Sequence, residues 1–394
     1  MRDFWNEEKE KKKINKKKII ILSILAIIII AMITIGIIYS RNEEFRDWMD
    51  KNILRKEINQ ENLATIEIKE DENPTVYAFN QYIGILNKNE FKIYNSMGKE
   101  EETLNLKITT PVIDSANRYL AVGESKGKKL YLIEDKKILW EKDIEGNISQ
   151  VKVNQNGYVA ISVVDTIHKT VVIVYDPQGN ELFYTFFSTT RVGDISISKD
   201  NKYLAIAEID TSGTMIKSNI SIISIDTAKE DAENSVIHKY EGENNELITD
   251  INYQDKNRLL CMYTDKIKMI SEDGNIETIT ENKDKKITFS DVNLSNSVIT
   301  IEEKSSGLFT ADSVVNIINP ENKNTSTYTA DSVTKEIYTN TNIIGLNLGT
   351  EIEFINTNGW LVKRYIGNQE ITQVTLSNSL AGIIYRDRVE IINL

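Results

Sequence analysis

Three aspartates stand at recurring positions in the chain and are the best candidates for a functional site. Asp194, Asp250 and Asp291 each come directly before an alternating strand pattern, and Gln150 and Gln373 hold the corresponding place in two other segments. If these segments are the innermost strands of a ring of blades, the five side chains form part of a ring at one mouth of its channel. Such a ring suits a cation, a sugar or a basic peptide. The alternative is that each side chain caps the backbone of its own turn, as Asp often does.

Residues that commonly carry catalysis or bind metals are scarce. His168 and His238 are the only two histidines and lie 70 residues apart, which excludes a histidine-rich metal site. Cys261, the single cysteine, stands in a pattern typical of a buried strand, so we expect a structural thiol and not a nucleophile. Neither a phosphate-binding glycine loop nor a calcium-loop spacing occurs. We therefore expect no metal, no cofactor and no catalysis.

One enzymatic alternative stays open. An envelope glycan hydrolase would use paired carboxylates at the channel, and some ring-shaped folds of this kind host that reaction. Carboxyl groups about 5 to 10 Å apart around a sugar-sized pocket would favour it. Aspartates tied to their own turns would count against it.

A long apolar segment precedes all of these residues. Ile19 to Tyr39 is a run of 21 residues without a charge. A helix needs about 20 apolar residues to span a bilayer, whereas the apolar region of a signal peptide has about 7 to 15. No small-x-small cleavage pattern follows, because the segment ends Ile37-Ile38-Tyr39-Ser40-Arg41. The pattern predicts a retained transmembrane helix over residues 19–39, with the lipid bilayer as its first partner.

Charges on the two flanks predict the orientation of that helix. A basic stub over residues 1–18 carries six lysines close to the apolar run: Lys11, Lys12, Lys13, Lys16, Lys17 and Lys18. Positive flanks stay on the cytoplasmic side, so we expect a cytoplasmic N-terminus and an extracytoplasmic C-terminal domain at the cell membrane. Residues 1–40 hold 8 basic and 4 acidic residues, so the remaining 354 carry 39 against 55, a net charge of −16. That acidic domain repels DNA, so no nucleic-acid partner is expected.

A connector over residues 40–62 links the apolar run to the rest of the chain. Phe45, Trp48, Met49 and Leu54 recur near helical spacing from Asn42 to about Glu61. The pattern predicts a short amphipathic helix. Three roles stay open for this helix. It could be a spacer, it could continue the membrane helix, or its Trp48 could dock on the next domain or at the lipid interface.

From Leu63 onward a strand-rich unit repeats. Its clearest copies run from Val112 to Val122 and from Ile195 to Ile206, each an alternating strand, a polar turn and a second strand. The residue that opens the second strand recurs at intervals of 37, 39, 45, 56, 39, 45 and 37, at Tyr82, Tyr119, Tyr158, Tyr203, Leu259, Val298, Ile343 and Leu380. A strand repeat with a period near 40 is typical of β-propeller blades.

The repeat predicts an all-β domain over residues 63–394, a propeller of eight blades. Seven blades stay open, since the unit around Ile337 to Phe354 has the weakest pattern. The eighth unit ends after three strands, and the strand Leu63 to Ile68 precedes the first full unit without a hairpin partner. We expect strand 63–68 to complete the last blade and close the ring, which would leave no long sheet edge between the first and last blades.

The turn Ser-Lys-Asp-Asn-Lys-Tyr-Leu-Ala, residues 198–205, resembles the Ser-Pro-Asp-Gly-Lys-Tyr-Leu-Ala turn of WD40-like and TolB-type propeller repeats. The whole arrangement resembles a family of uncharacterised bacterial single-pass membrane proteins with a domain of unknown function. The chain departs from the WD40 pattern because its third strands do not end in Trp-Asp. The resemblance implies architecture more than activity. Scarce catalytic residues on a propeller platform favour, by fold analogy, a membrane-anchored interaction scaffold or sensor at the cell envelope, with an envelope protein or polymer as partner.

Overall fold

The computed structural model describes residues 16–54, 56, 63–69, 73–164, 167–282, 286–307 and 310–394. The chain forms two compact units, residues 1–57 and residues 58–394. Among the described residues, the first unit is helical and the second consists mainly of strands.

Two helices make up the described part of the first unit, α1 (Lys16–Arg41) and α2 (Glu43–Asn52). The segment Ile21–Arg41 of α1 is long and apolar enough to cross a membrane, and its side chains are exposed. Among the predicted orienting lysines, Lys16, Lys17 and Lys18 begin α1, whereas Lys11, Lys12 and Lys13 lie outside the described residues.

Helix α2 lies within the predicted connector, residues 40–62, and ends at Asn52, earlier than the predicted helical pattern that runs to about Glu61. Asn42 caps it by accepting a hydrogen bond from the backbone N–H of Phe45 at 2.8 Å. Tyr39, at the end of the apolar run, donates its hydroxyl to Asp50 at 2.6 Å. Lys56 in turn contacts both, at 2.8 Å from the Tyr39 hydroxyl and 2.9 Å from Asp50 Oδ1. These bonds hold α2 against the end of α1.

The second unit begins with strand β1 (Ala64–Glu67), and 31 further strands follow. Blade 1 contains β2 (Thr75–Phe79), β3 (Tyr82–Asn87), β4 (Glu90–Tyr94) and β5 (Glu100–Asn105). Blade 2 contains β6 (Pro111–Ala116), β7 (Tyr119–Glu124), β8 (Lys129–Glu134) and β9 (Lys137–Asp143). Blade 3 contains β10 (Asn147–Val153), β11 (Val159–Val164), β12 (Thr170–Tyr175) and β13 (Glu181–Phe187). Blade 4 contains β14 (Arg191–Ile197), β15 (Tyr203–Asp210), β16 (Lys217–Ser224), the helix α3 (Ile225–Glu230) and β17 (Val236–Tyr240).

The other four blades repeat this order. Blade 5 contains β18 (Ile248–Tyr253), β19 (Leu259–Tyr263), β20 (Lys266–Ile270) and β21 (Ile276–Glu281). Blade 6 contains β22 (Ile287–Asp291), β23 (Val298–Ser305), β24 (Ala311–Ile318) and β25 (Thr325–Ala330). Blade 7 contains β26 (Glu336–Asn340), β27 (Ile343–Asn347), β28 (Glu351–Asn356) and β29 (Leu361–Ile366). Blade 8 contains β30 (Gln373–Leu376), β31 (Leu380–Ile384) and β32 (Arg388–Asn393), with β1 as its fourth strand.

The structure confirms an eight-bladed β-propeller, and the unit with the weakest sequence pattern forms blade 7. Every sheet has four antiparallel strands. Neighbouring first strands contact each other, as β6 does with β10 and β14 with β18, so the first strands surround the central channel.

The ring closes where its two ends meet. β1 pairs antiparallel with β32, from Ala64 opposite Ile391 to Glu67 opposite Arg388. Side chains join blades 8 and 1 as well, because the Thr375 hydroxyl accepts a hydrogen bond from the backbone N–H of Ala78 at 2.6 Å. The first strand of the unit therefore completes the sheet of the last blade.

The hydrophobic core lies between blades rather than at the centre of the ring. Each of its eight clusters joins two neighbouring blades, as Phe79 of blade 1 and Tyr131 of blade 2 do in the first. Turns before the fourth strand fix this packing. Gly179 has a φ of +82°, and a Cβ there would lie 2.9 Å from the Trp140 ring of the preceding blade. Propeller stability thus depends on stacking between sheets.

Candidate functional site

The sequence pattern predicted that the candidate side chains come directly before the first strands. In the structure they lie within those strands. Asp194 is the fourth residue of β14 and Asp250 the third of β18. The pairing of each first strand with its neighbour shifts by one residue just before them, between Val192 and Asp194 and between Ile248 and Asp250. This β-bulge lets the strand continue past the polar residue towards its N-terminus, which an alternation pattern does not reveal.

Gln150 of β10 follows the same kind of bulge, so Gln150, Asp194 and Asp250 hold equivalent positions in three consecutive blades. Asp291 does not. In β22 the residue after the bulge is Phe289, and Asp291 lies two residues further on, at the end of the strand. The three aspartates therefore occupy two levels of the channel wall.

Asp194 connects blade 4 to both neighbours. Its Oδ2 accepts a hydrogen bond from the backbone N–H of Ile251 in blade 5 at 2.9 Å. Its Oδ1 lies 3.2 Å from the Nζ of Lys152 in blade 3. With 7 % of its surface exposed, Asp194 is buried. This carboxylate therefore holds the first strands of three blades together instead of capping its own turn.

Asp250 and Asp291 meet at one side chain. The Asn293 amide donates to Asp250 Oδ2 at 2.9 Å and to Asp291 Oδ2 at 3.2 Å. Asp291 also accepts the backbone N–H of Asn293 at 2.7 Å, which is the turn-capping arrangement that the sequence left open as an alternative. Asp291 thus caps its own turn, whereas Asp250 is held by the next blade.

The two glutamines differ from each other. Gln150 donates its amide to the backbone carbonyl of Gly193 in the next blade, and its buried Oε1 has no hydrogen-bond partner among the described residues. Gln373, the first residue of β30, is exposed. Four of the five predicted residues, Gln150, Asp194, Asp250 and Asp291, therefore take part in contacts between neighbouring blades. Gln373 is separate from them.

Two residues that the sequence analysis missed also take part in these contacts between blades. Asp114 of β6 accepts a hydrogen bond from the backbone N–H of Val153 at 2.7 Å. Lys152 of β10 and Asp114 of β6 hold similar positions in their blades, because each lies opposite an alanine of the second strand, Ala160 in β11 and Ala121 in β7. The available signal was a charged residue within an inner strand, Asp114 in β6 and Lys152 two positions from Gln150 in β10. We call Asp114, Gln150, Lys152, Asp194, Asp250 and Asp291 the channel cluster.

The electrostatics of the channel cluster follow from burial and from unequal numbers of charges. Burial alone would lower the pKa of Lys152, but the carboxylates of Asp194, Asp114 and Asp250 raise it above its ordinary value. Burial raises the pKa of Asp114, and Lys152 and the Val153 N–H offset part of that rise. The lysine therefore stays protonated among three carboxyl groups.

The charged form of Asp250 is disfavoured by its surroundings. Burial first, then the charge of Asp194 and a hydrogen bond with it, raise the pKa of Asp250 to about 7. Lys152 and Asn293 oppose that rise. A hydrogen bond between two carboxyl groups requires that one of them carries a proton. Asp250 therefore keeps a proton to a higher pH than an ordinary aspartate does.

This geometry limits the chemistry of the channel cluster. Asp250 accepts a hydrogen bond from Asn293, and Asp194 is bonded to Ile251 and Lys152, whereas glycoside hydrolysis uses two carboxyl groups that flank a sugar. Within the described ranges, no group of three or more His, Cys, Asp or Glu side chains is placed to hold a metal ion. Two surface depressions, of about 440 and 310 Å³, lie at the outer edges of blades 8 and 1, and no member of the channel cluster lines them.

Comparison with known proteins adds a family and a fold. The model of a family described as "Family of unknown function (DUF5711)" matches residues 54–394. A search of curated protein sequences finds no match to the chain.

Solved structures with similar folds differ widely in sequence. The C-terminal WD40 domain of Sif2 is 13 % identical, with a TM-score of 0.55 over 80 % of this chain and 94 % of that one. BamB from Moraxella catarrhalis is 12 % identical, with a TM-score of 0.50 over 84 % and 99 %. The dihydro-heme d1 dehydrogenase NirN is 10 % identical, with a TM-score of 0.52 over 83 % and 72 %. These likenesses establish the propeller fold and leave the activity to be argued from the site.

Proposed function

This chain belongs to the family of unknown function DUF5711, and we propose that it is a membrane-anchored, extracytoplasmic β-propeller that acts as an interaction scaffold or sensor at the cell envelope. The observation that carries the proposal is that one chain contains an apolar helix without buried side chains over Ile21–Arg41 and a closed ring of eight blades. An apolar helix with exposed side chains is stable in a bilayer and not in water. A ring closed by its own first strand presents loops on a rigid frame.

The state of the channel cluster favours binding over catalysis. Three of its side chains form hydrogen bonds to the backbone of the next blade: Asp194, Gln150 and Asp114. These bonds hold neighbouring first strands together. A glycan hydrolase needs two free carboxyl groups on either side of a sugar. Because Asp250 is bonded to Asp194 and Asn293, this pair does not meet that requirement. We therefore place the partner on the loops around the ring rather than inside the channel.

Crosslinking in native membranes tests the proposed partner. The full chain, crosslinked before extraction, should recover a defined envelope protein or polymer. A matched sample with the aspartates changed together, Asp194→Asn, Asp250→Asn and Asp291→Asn, should retain that partner if binding is on the loops. Loss of the partner in a folded triple variant would instead assign binding to the channel. Cleavage of an envelope glycan by the purified chain, with no partner recovered, would overturn the proposal in favour of the hydrolase.

Protease protection tests the proposed topology. Protease added to intact cells should digest a tag fused after Leu394, because the propeller is expected outside the membrane. A tag placed before Lys11 should stay protected until the cells are permeabilised. The opposite pattern of protection would show that the orientation is wrong.

A further inference from the structure

We propose that helix α2 lies at the surface of the bilayer, where the apolar side chains at its C-terminal end contact the lipid headgroup region. This position rests on the proposed function, because α1 must span the membrane for α2 to meet its surface. Both helices belong to the first unit, residues 1–57. The partner of α2 is therefore a lipid surface, the same bilayer that α1 crosses.

The chain changes direction between α1 and α2. Asn42 has a φ of −116° and a ψ of 111°, an extended conformation that interrupts the helix. In one continuous helix, Tyr39 and Asp50 would be about 16 Å apart along the axis, since each residue adds about 1.5 Å. Instead, the Tyr39 hydroxyl donates to Asp50 at 2.6 Å. Helix α2 therefore turns towards the end of α1 and does not extend it in a straight line.

Tyr39 marks the level of the membrane surface. It is the last residue of the uncharged run, and the charged Arg41 ends α1. Tyrosine and tryptophan are enriched where a spanning helix passes through the headgroup region. Lys56 lies 2.8 Å from the Tyr39 hydroxyl and 2.9 Å from Asp50 Oδ1. These contacts hold the C-terminal end of α2 at the level of Tyr39.

The exposed apolar side chains after α1 lie at this end of α2. Trp48 is 52 % exposed, Ile53 55 % and Leu54 50 %. Phe45 stacks on Trp48 with 6.1 Å between ring centroids. Single exposed apolar residues are common, but three within a stretch of seven residues form a patch. An indole beside aliphatic side chains is typical of segments that enter the lipid interface.

Continuity with α1 favours lipid over a protein surface as the partner of this patch. A single residue, Asn42, separates the two helices. Ten residues of helix are about 15 Å long, so all of α2 lies within that distance of the end of α1. A patch held so close to the exit of a spanning helix meets lipid headgroups first.

Apolar burial, and not charge, holds α2 at the lipid. The helix has two basic residues and four acidic ones, Glu43, Glu44, Asp47 and Asp50. Anionic headgroups repel a segment with this balance. Contact therefore depends on removing apolar surface from water, which anionic lipid does not strengthen.

Fluorescence quenching from within the bilayer tests this position. The full chain carries a thiol-reactive fluorophore at Trp48→Cys or Ile53→Cys and is reconstituted in phosphatidylcholine vesicles. Cys261 is fully buried and does not react in the folded chain. Both labels should lose fluorescence when the lipids carry a doxyl quencher near the headgroup, and lose less when the quencher is at the bilayer centre. Adding phosphatidylglycerol should not increase the loss.

Two matched controls make the readout specific. The label at Ile30→Cys, a 63 % exposed residue of α1, should be quenched most from the bilayer centre. The label at Thr278→Cys, exposed on β21, should be quenched only by iodide in the water.

The Ile30→Cys label distinguishes failure of this inference from failure of the proposed anchor. If it is quenched while the Trp48→Cys and Ile53→Cys labels are not quenched by lipid, α1 spans the bilayer and the inference is overturned. Shielding of those two labels from iodide as well would assign the patch to a protein surface. Their strongest quenching from the bilayer centre, or quenching that requires phosphatidylglycerol, would also overturn the inference. An unquenched Ile30→Cys label would overturn both the anchor and the inference.

Discussion

Lys152 is the residue around which the charges of the channel are arranged. Its Nζ lies 3.2 Å from Asp194 Oδ1, and the carboxylates of Asp194, Asp114 and Asp250 raise its pKa against the effect of burial. Removing one partner of a buried ion pair leaves an uncompensated charge, which is strongly destabilising. The cluster therefore contributes to stability as a unit, in which one cation offsets several anions.

The charge of Asp250 predicts a pH dependence at the residue scale. Its pKa is raised from about 3.9 in the unfolded chain to about 7 in the folded one. Between these values the folded state binds more protons than the unfolded state, so stability falls as the pH rises. Asp250→Asn mimics the protonated form. We expect the variant to lose less stability than the wild type between pH 5 and pH 8, and to be more stable at pH 8 by about 1–2 kcal/mol.

Denaturant unfolding at several pH values measures this difference. Asp143→Asn is a suitable control because Asp143 is an exposed carboxylate, 72 % accessible at the end of β9. The control should follow the wild-type profile. If Asp250→Asn follows it too, Asp250 does not hold a proton in the folded chain.

At the scale of elements, the first strands make two kinds of contact with neighbouring blades. Their apolar residues, such as Ile195 and Ile251, pack between blades, while polar residues on the channel side bond to the next strand. The bulges before Gln150, Asp194 and Asp250 keep these polar residues at one level. Bonds across blades give polar side chains at inner-strand positions a structural role.

Ring closure predicts a local sensitivity in β1. Ile66 is 6 % exposed and packs with Val76 and Val389 at the seam of blades 8 and 1. Ile66→Ala should lower the free energy of unfolding by about 2–5 kcal/mol, since it removes buried methyl groups and leaves a cavity. Thr65→Ala, at the adjacent exposed residue, should change it by no more than about 0.5 kcal/mol. Urea unfolding of the full chain measures both, and equal effects would contradict closure by β1.

At the scale of the whole molecule, the chain combines an apolar helix with an acidic propeller. The apolar segment is Ile21–Arg41, and the chain after residue 40 has a net charge of −16. Attachment by a helix and attachment by charge can be told apart by the conditions that release the protein from membranes. A peripheral protein held by charge leaves membranes in high salt, because salt screens surface charges. A protein held by a spanning helix requires detergent.

We expect the full chain to resist extraction by 1 M salt and by alkaline carbonate, and to be released by detergent. Replacing two central apolar residues, Ile27→Asp and Ile30→Asp, should abolish membrane retention, because each charge at a helix centre adds about 2.5–3.5 kcal/mol to insertion. The control Trp48→Ala, in α2, should remain with the membrane. Release of the wild type by carbonate would show that α1 does not span the bilayer.

The amino-acid sequence by itself determined the architecture of this protein. Apolar length predicted a helix over residues 19–39, which lies within α1 (Lys16–Arg41), and alternation with a period near 40 predicted eight blades, because both patterns depend on local spacing alone. The strand Ala64–Glu67 was recognisable because it had no hairpin partner nearby.

Only the tertiary structure decided how the candidate residues meet. A bulge changes which residue of a first strand lies at the level of Gln150, Asp194 and Asp250. In β22 that residue is Phe289, and Asp291 lies two residues further along the strand. Lys152 and Asp114 entered the channel cluster through contacts between residues 39 or more positions apart in the chain. Burial and the charges of neighbouring blades then set the pKa of Asp250. These properties depend on distances across blades, which spacing along one chain does not contain.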